Sequence, residues 1–324
     1  VTGDPASAFE NANFDASMLA AGSDGEEAYT ETRYPFEQLD VQEVAGETIT
    51  GTDGNDDLAP DAPAEPVGLP GALGFWSLGN ESEGSFDDLR GEGGDVKAFT
   101  LYENQALLNT NATTDGPTEG STALYFNGED SFAFLEHDPA MTVTQGTIAM
   151  WVRPDDLGEK SMFVTKDHSG SEEGSHFRLG HTDDGGLFLR FADPYKTNHA
   201  WETDALLSEG EWTHLAVNFT EDGITVFVDG APVPDNAWTA VEGNDATPGA
   251  QGEAMLLQNE EPWVFGADQY KTELNDTAQE FALDDEDLRN EFEGGIADFG
   301  VWGGFRADDA LSASEINELI TNGP

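Results

Sequence analysis

Four histidines, His168, His176, His181 and His199, lie in one stretch of the chain together with Asp167, Arg178 and Tyr195. A histidine or tyrosine base beside a charge-neutralising cation would suit proton abstraction next to a uronate, the chemistry of a polysaccharide lyase. On an alternating strand His176 and Arg178 share one face and His181 takes the other, so the group does not converge on one point. His176 and His214 read instead as residues that close strand-edge hydrogen bonds or pack against aromatic rings. Retaining glycoside hydrolysis needs two carboxyls about 5 Å apart. The nearest match is the acidic run Asp285, Glu286, Asp287 and Glu291, whose spacing does not fit a catalytic strand. No nucleophile elbow, phosphate-binding loop or paired metal-ligand motif is present, and no catalytic residue is assigned. Tyr195, Trp201 and Trp238, with Trp263, fall in or beside expected loops, where an exposed ring would stack on a sugar. The competing role for a loop tryptophan is to anchor its own loop. Trp76, Trp151, Trp212 and Trp302 sit inside strand patterns and are expected to be core or half-buried.

Those groups belong to a chain of 324 residues with 66 acidic and 12 basic side chains, a formal charge of −54. Such a surface repels phosphate backbones, whose binding relies on Lys and Arg contacts, and this excludes direct nucleic-acid recognition. Anionic membranes and acidic polysaccharides are repelled too, unless a divalent cation bridges them. The carboxylates call for abundant cations, as screening ions or as bound Ca²⁺, which suggests a saline or calcium-containing extracellular medium. Acidity that only maintains solubility is the alternative. There is no cysteine, which excludes disulfides and thiolate metal sites. No apolar run approaches the ~20 residues that span a bilayer. The chain opens at Val1 without a charged-then-apolar leader, so any export signal is expected to have been removed or never present.

Residues 1–58 form an acidic arm with scattered apolar positions. Across residues 1–70, 16 positions are Asp or Glu and Arg33 is the only basic residue. Composition predicts that this arm has no core of its own. Residues 59–70, with Pro60, Pro63, Pro66 and Pro70, read as a stiff linker. From Gly71 to the end, residues 71–324 read as one domain of short strands. Leu73–Leu78, Thr122–Phe126, Ser131–Leu135, Gly146–Val152, Gly186–Ala192, Trp212–Phe219, Ile224–Val228, Trp263–Gly266 and Ile296–Trp302 read as short strands between Gly and Asp turns, and Gly146–Val152 and Gly186–Ala192 alternate at period two. This pattern predicts an all-β antiparallel sandwich rather than β/α units. One helix is expected near the end, where Ser312 and Glu315 make a capping box, and Ile316, Leu319 and Ile320 form one apolar face. A second helix is predicted over Thr277–Phe292.

In order along residues 71–322, several runs resemble bacterial laminin-G-like, concanavalin A-like domains. They are Ala123–Phe132 (ALYFNGEDSF), Gly146–Pro154 (GTIAMWVRP), Lys166–Gly170 with Gly174–Phe177, and Glu211–Val217 with Val226–Gly230. Phe292–Asp298 and Leu311–Ile316 complete the series. The resemblance implies a jelly-roll β-sandwich with a short C-terminal helix, a module that binds glycans or proteins and often carries structural Ca²⁺. It implies a calcium site between the early hairpin turn, at Gly128 and Asp130, and Asp298 on the last strand. Asp298 has the opposite parity to Phe299, so a role outside the core fits, and hard oxygen ligands suit Ca²⁺. A solvated Asp298 and an Asp130 that only stabilises its turn is the alternative. Gly51–Leu58 (GTDGNDDL) resembles one unit of the calcium-binding repeats of type-I-secreted RTX proteins, with Asp53 and Asp56 as ligands. Such units need stacked neighbours, and here only one appears.

The reading is a secreted or cell-surface, non-catalytic, calcium-supported module for adhesion to a glycan or extracellular-matrix protein partner. One rival is a self-assembling subunit of an extracellular fibre, sheath or surface layer, a homo-oligomer or polymer built through residues 1–58 by strand addition. The other is a polysaccharide-degrading jelly-roll enzyme.

Overall fold

The computed structural model describes residues 72–78, 85–86, 96–100, 112–113, 115–138, 143–166, 177–192, 197–242, 247–251, 262–269, 288–304 and 309–322. The expected arm over 1–58, with Asp53 and Asp56, and the linker over 59–70 lie outside the described residues, as does Tyr195.

The strands are β1 (Ala72–Trp76), β2 (Ser85–Phe86), β3 (Val96–Thr100), β4 (Ala112–Thr113), β5 (Ala123–Asn127), β6 (Ser131–Leu135) and β7 (Gln145–Pro154). Then come β8 (Ser161–Lys166), β9 (Phe177–His181), β10 (Gly186–Ala192), β11 (Asn198–Ala205), β12 (Thr213–Thr220), β13 (Gly223–Val228) and β14 (Ala231–Pro232). The last are β15 (Trp238–Glu242), β16 (Trp263–Phe265), β17 (Asp268–Gln269), β18 (Leu288–Arg289) and β19 (Glu293–Gly304), followed by helix α1 (Ala313–Asn322). Among the described residues two large antiparallel sheets result, beside the small two-stranded sheet β17-β18. One has eight strands in the order β14-β13-β12-β7-β19-β5-β4, with β1 also paired to β19. The other has nine, in the order β15-β11-β10-β9-β8-β16-β6-β3-β2. The hairpin β12–β13, closed through Thr220 opposite Gly223, follows the Glu-Asp-Gly signal in the sequence.

Alternation decides which side chains fill the space between the sheets. Ile148, Met150 and Val152 of β7, with Leu215, Val217 and Phe219 of β12, meet Leu187, Leu189 and Phe191 of β10, Leu179 of β9 and Trp201 of β11 in one buried cluster. Helix α1 adds a third layer. Leu311, Ile316 and Leu319 cover Phe75, Ala149, Ala216, Phe227 and Trp302 on the outer side of the eight-stranded sheet. The predicted capping box holds this helix: Ser312 N–H donates to Glu315 Oε2 at 2.7 Å, and Glu315 N–H donates back to Ser312 Oγ at 3.3 Å. Hydrogen bonds from the Ser312 hydroxyl and backbone N–H hold the Glu315 carboxyl below its ordinary value.

The helix predicted over Thr277–Phe292 is not what its C-terminal part forms. Leu288–Arg289 is a strand paired with Asp268–Gln269, and Phe292 packs fully buried on Phe126 and Phe163. Burial of this one ring between the sheets outweighs local helix propensity. Residues 277–287 are outside the described part.

Candidate functional site

The outward side chains of the nine-stranded sheet carry a run of ion pairs. Register sets one line across it. Thr165 lies opposite Arg178, Arg178 opposite Arg190, Arg190 opposite Ala200, and Ala200 opposite Glu242. Two guanidiniums are therefore direct cross-strand neighbours, an arrangement that is destabilising unless carboxylates flank it. They do: Arg178 Nε lies 3.2 Å from Asp268 Oδ1, and Arg190 Nε lies 3.0 Å from Glu242 Oε2. Arg289 Nε reaches the other oxygen of Asp268 at 2.9 Å, and Asn290 Nδ2 donates to it at 3.3 Å. Asp268 is completely buried between the guanidiniums of Arg178 and Arg289. Burial lowers Arg178 from its ordinary value, against the pull of Asp268 and Glu242. Burial and then the Arg178 charge lower Arg190, against Glu242 and Asp268. Both remain cationic, since guanidinium does not deprotonate in proteins.

One step along the strands, Phe188 faces Gly180 on one side and Glu202 on the other, with Met162 beyond Gly180. A Cβ at Gly180 would lie 2.0 Å from the Ser161 carbonyl, so only glycine lets these strands close. Met162, Phe188 and Ala200 form a small buried apolar patch. Lys160 Nζ sits 3.3 Å above the Phe188 ring and 2.9 Å from Glu202 Oε1. Beside it opens a cleft of about 350 Å³ lined by Gly158, Glu159, Lys160, Thr182, Asp183 and Glu202. Its size is at the small-ligand end of binding clefts. Its carboxylates accept and its ammonium donates, which suits a ligand rich in hydroxyls.

The structure disperses the residues expected to hold calcium. Gly128 has φ +72° in a tight turn, and its N–H donates to Phe292 O at 3.0 Å. Asp130 accepts from Asn127 Nδ2 at 2.7 Å, while Asn127 Oδ1 accepts the Asp130 N–H at 3.1 Å. The pairing of Asn127 with Glu293 places this turn five positions along β19 from Asp298, roughly 17 Å at strand rise. The two parts cannot share one ion. Among the described residues no group of three or more His, Asp or Glu could hold a metal.

Asp298 sits elsewhere, at a bulge. Ala297 faces Trp151 and Gly300 faces Ala149, so the intervening residues carry one extra position. Asp298 takes it up at φ +53°, a left-handed conformation that Asp tolerates better than most residues. Its carboxyl turns into a small cavity under α1, lined by Phe75, Ala149, Trp151, His214, Trp302 and Leu319. Burial pushes that carboxyl up to about 7 and the His214 imidazole down to about 4. His214 Nδ1 and Trp302 Nε1 are buried there without a hydrogen-bond partner. The space is about 10 Å³, close to the least that admits one water.

The tryptophans expected as sugar platforms are core residues instead. Trp201 is 1% exposed on β11, stacked 5.8 Å from Phe191, and Trp238 is 7% exposed at the start of β15. Both join the central cluster, as does Trp263. Sequence assigned these segments to loops because β11 (NHAWETDA) is too polar on its outward face to read as a strand. His181 is also structural: its Nε2 is 2.6 Å from Ser161 Oγ and its Nδ1 2.9 Å from Thr182 O, and burial lowers its pKa. His199 stacks on Phe191 and Trp201. His168, His176 and Asp285–Asp287 lie outside the described residues. Of the early candidates only Arg178 belongs to the outward cluster. Sequence reasoning missed Arg190, Lys160, Glu202 and Glu242; for Arg190 the available signal was its parity opposite to Leu187, Leu189 and Phe191 on β10.

Two facing antiparallel sheets with a polar outer face and a capping C-terminal helix define a jelly-roll sandwich. The sequence profile of the Concanavalin A-like lectin/glucanases superfamily matches residues 126–317, and the chain belongs to that family. Among solved structures, it is similar to domain 4 of AbnA, a GH43 extracellular arabinanase from Geobacillus stearothermophilus, in complex with arabinotriose. That match has 16% identity and a TM-score of 0.49, covering 77% of this chain and 98% of that one. It is also similar to the botulinum neurotoxin serotype D binding domain, at 11% identity and TM-score 0.45, covering 77% of this chain and 50% of that one. A third is the CBM40 of Ruminococcus gnavus IT-sialidase bound to α2,3-sialyllactose, at 12% identity and TM-score 0.40, covering 61% and 95%. These are likenesses of fold. No curated protein sequence matches the chain.

Proposed function

We propose that this protein is a non-catalytic glycan-binding module of the cell exterior, and that its ligand lies along the outward face of the nine-stranded sheet. The observation that carries the reading is the cleft between Glu159, Lys160, Asp183 and Glu202, on the outward face that also carries the Arg190 line. Sugar hydroxyls offer donors and acceptors to carboxylate and ammonium together. Family membership is consistent with this use, and among the described residues no helix is long and apolar enough to cross a membrane. Calcium belongs to the proposal as a counter-ion to a chain of charge −54 rather than as an ion bound between Asp130 and Asp298.

Calorimetric titration with a panel of neutral and acidic oligosaccharides tests it, using wild type, Lys160→Ala and Glu202→Gln. Each variant is expected to bind at least tenfold more weakly with its fold intact. Absence of glycan binding, or binding that ignores both substitutions, removes the proposal. Release of new reducing ends or of unsaturated uronate would make the protein an enzyme instead. A melting temperature unchanged between chelator and millimolar calcium removes the calcium role.

A further inference from the structure

The line next to the cleft carries polar groups that the fold itself does not satisfy. Arg190 Nε approaches Glu242 Oε2 at 3.0 Å as an ion pair, yet it is buried with no aligned hydrogen-bond acceptor. Only Nη2 donates to Glu242, at a long 3.4 Å, so Nη1 has no acceptor among the described residues. Asn198 lies opposite Ala192 on β11, two positions from Ala200, which faces Arg190. It therefore points to the same outward side, and its Oδ1 is likewise buried without a donor. Buried polar atoms left unpaired are rare in folded proteins and call for a ligand or water that completes them. Here an orphaned guanidinium donor and an orphaned amide oxygen stand on one face, separated along the strand by roughly 7 Å. The neighbouring Arg178 adds a second positive charge at a cross-strand position.

The geometry points to Arg190 and Asn198, backed by the Arg178 charge, as a subsite for the carboxylate of an acidic sugar within the bound glycan. The sugar carboxylate takes the Arg190 N–H groups that Glu242 fails to align, and an adjacent hydroxyl donates to Asn198. A planar fork of donors matches a carboxylate in a way that a hydroxyl cannot. Glu242, whose side chain is 46% exposed, is then a competitor that the ligand displaces. This subsite rests on the proposed glycan face and names the class of sugar that face prefers.

An oligogalacturonide and its fully methyl-esterified form differ only in the carboxylate, and both are titrated by calorimetry into wild type, Arg190→Gln, Asn198→Ala and Glu242→Gln. Wild type is expected to favour the acid form at least tenfold. Arg190→Gln should abolish that preference, Asn198→Ala should weaken the acid form severalfold, and Glu242→Gln should strengthen it severalfold. Circular dichroism of each variant confirms the fold, and Glu242→Gln changes an exposed side chain, so it keeps the test decisive if Arg190→Gln unfolds. Equal affinity for acid and ester, or weaker acid binding in Glu242→Gln, overturns the subsite while leaving a neutral-glycan face standing. No binding of either form, with no binding of any other glycan, overturns the face itself.

Discussion

Replacing Asp298 by Asn probes the cavity under α1 most directly. Burial raises the Asp298 carboxyl from 3.8 to about 7, roughly three units, which corresponds to about 4 kcal/mol between the two protonation states. The folded chain therefore binds a proton that the unfolded chain releases between about pH 4 and pH 7. The stabilisation this provides is fully present below pH 4, is lost as pH rises through about 7, and is absent above it. At higher pH the wild type carries a charge on the half-buried Asp298, among Phe75, Trp151, Trp302 and Leu319. His214 is the other titratable group lining the cavity. It is neutral in this range, since burial holds it near 4, and so supplies no counter-charge. Asn keeps the shape, removes the charge and accepts the left-handed backbone at φ +53°. Urea unfolding of both chains from pH 4 to pH 9 should show no difference at the acid end and a growing advantage for the Asp298→Asn variant towards pH 8. That advantage is expected to approach about 4 kcal/mol, less whatever the cavity recovers by hydration. Repulsion among the many surface carboxylates is nearly common to both chains and cancels in the difference. Parallel stability curves would refute burial of the carboxyl. A constant advantage at every pH would locate the effect in the backbone of the bulge instead.

Four further outcomes follow from the same contacts. The His214 pKa is depressed to about 4, so its stabilisation is present above pH 6.5 and lost as pH falls through 4; His214→Gln should shift the acid-unfolding midpoint downward, and an unchanged midpoint contradicts the assignment. Trp201→Ala should lower stability by about 3–5 kcal/mol in urea, where a glycan platform would lose affinity at constant stability. Asp268→Asn leaves Arg178 and Arg289 facing a neutral amide and should cost about 3–5 kcal/mol by the same assay. Affinity for an acidic oligosaccharide should rise severalfold from low salt to about 0.15 M, because screening beyond ~8 Å removes the repulsion of the distant acids before it weakens the contact at Arg190; a steady decline with salt would oppose this.

The sandwich was legible because its inner faces obey a period of two with few interruptions. Ile148, Met150 and Val152, or Leu187, Leu189 and Phe191, announce a strand and its buried side at once, and all six are buried as expected. The capping box at Ser312 and Glu315 was equally plain, since it uses only local chemistry. Segments failed where burial was imposed from a distance. β11 alternates too, but its outward Asn198 and Glu202 dilute the apolar signal. Trp201 therefore looked like a loop ring when it is a core ring. The stretch ending at Phe292 looked helical because nothing local says that its ring closes the space between Phe126 and Phe163.

The candidate site was less legible for a related reason. Residues that recognise a ligand from a sheet face are not neighbours in sequence; they become neighbours through register, which one chain does not display. Arg178 and Arg190 are twelve positions apart and meet only because β9 and β10 form a hairpin at that offset. Glu242 joins them through β15 at the sheet edge. The overall charge of −54 also pointed away from them, since it describes the far field. Lys160, Arg178, Arg190 and Arg289 nonetheless gather on one face, and at contact range their geometry outweighs the average because interactions within a few ångströms escape the screening that governs distant charges. On the proposed subsite, an acidic chain would take an acidic sugar at contact range while its overall charge keeps long polyanions at a distance.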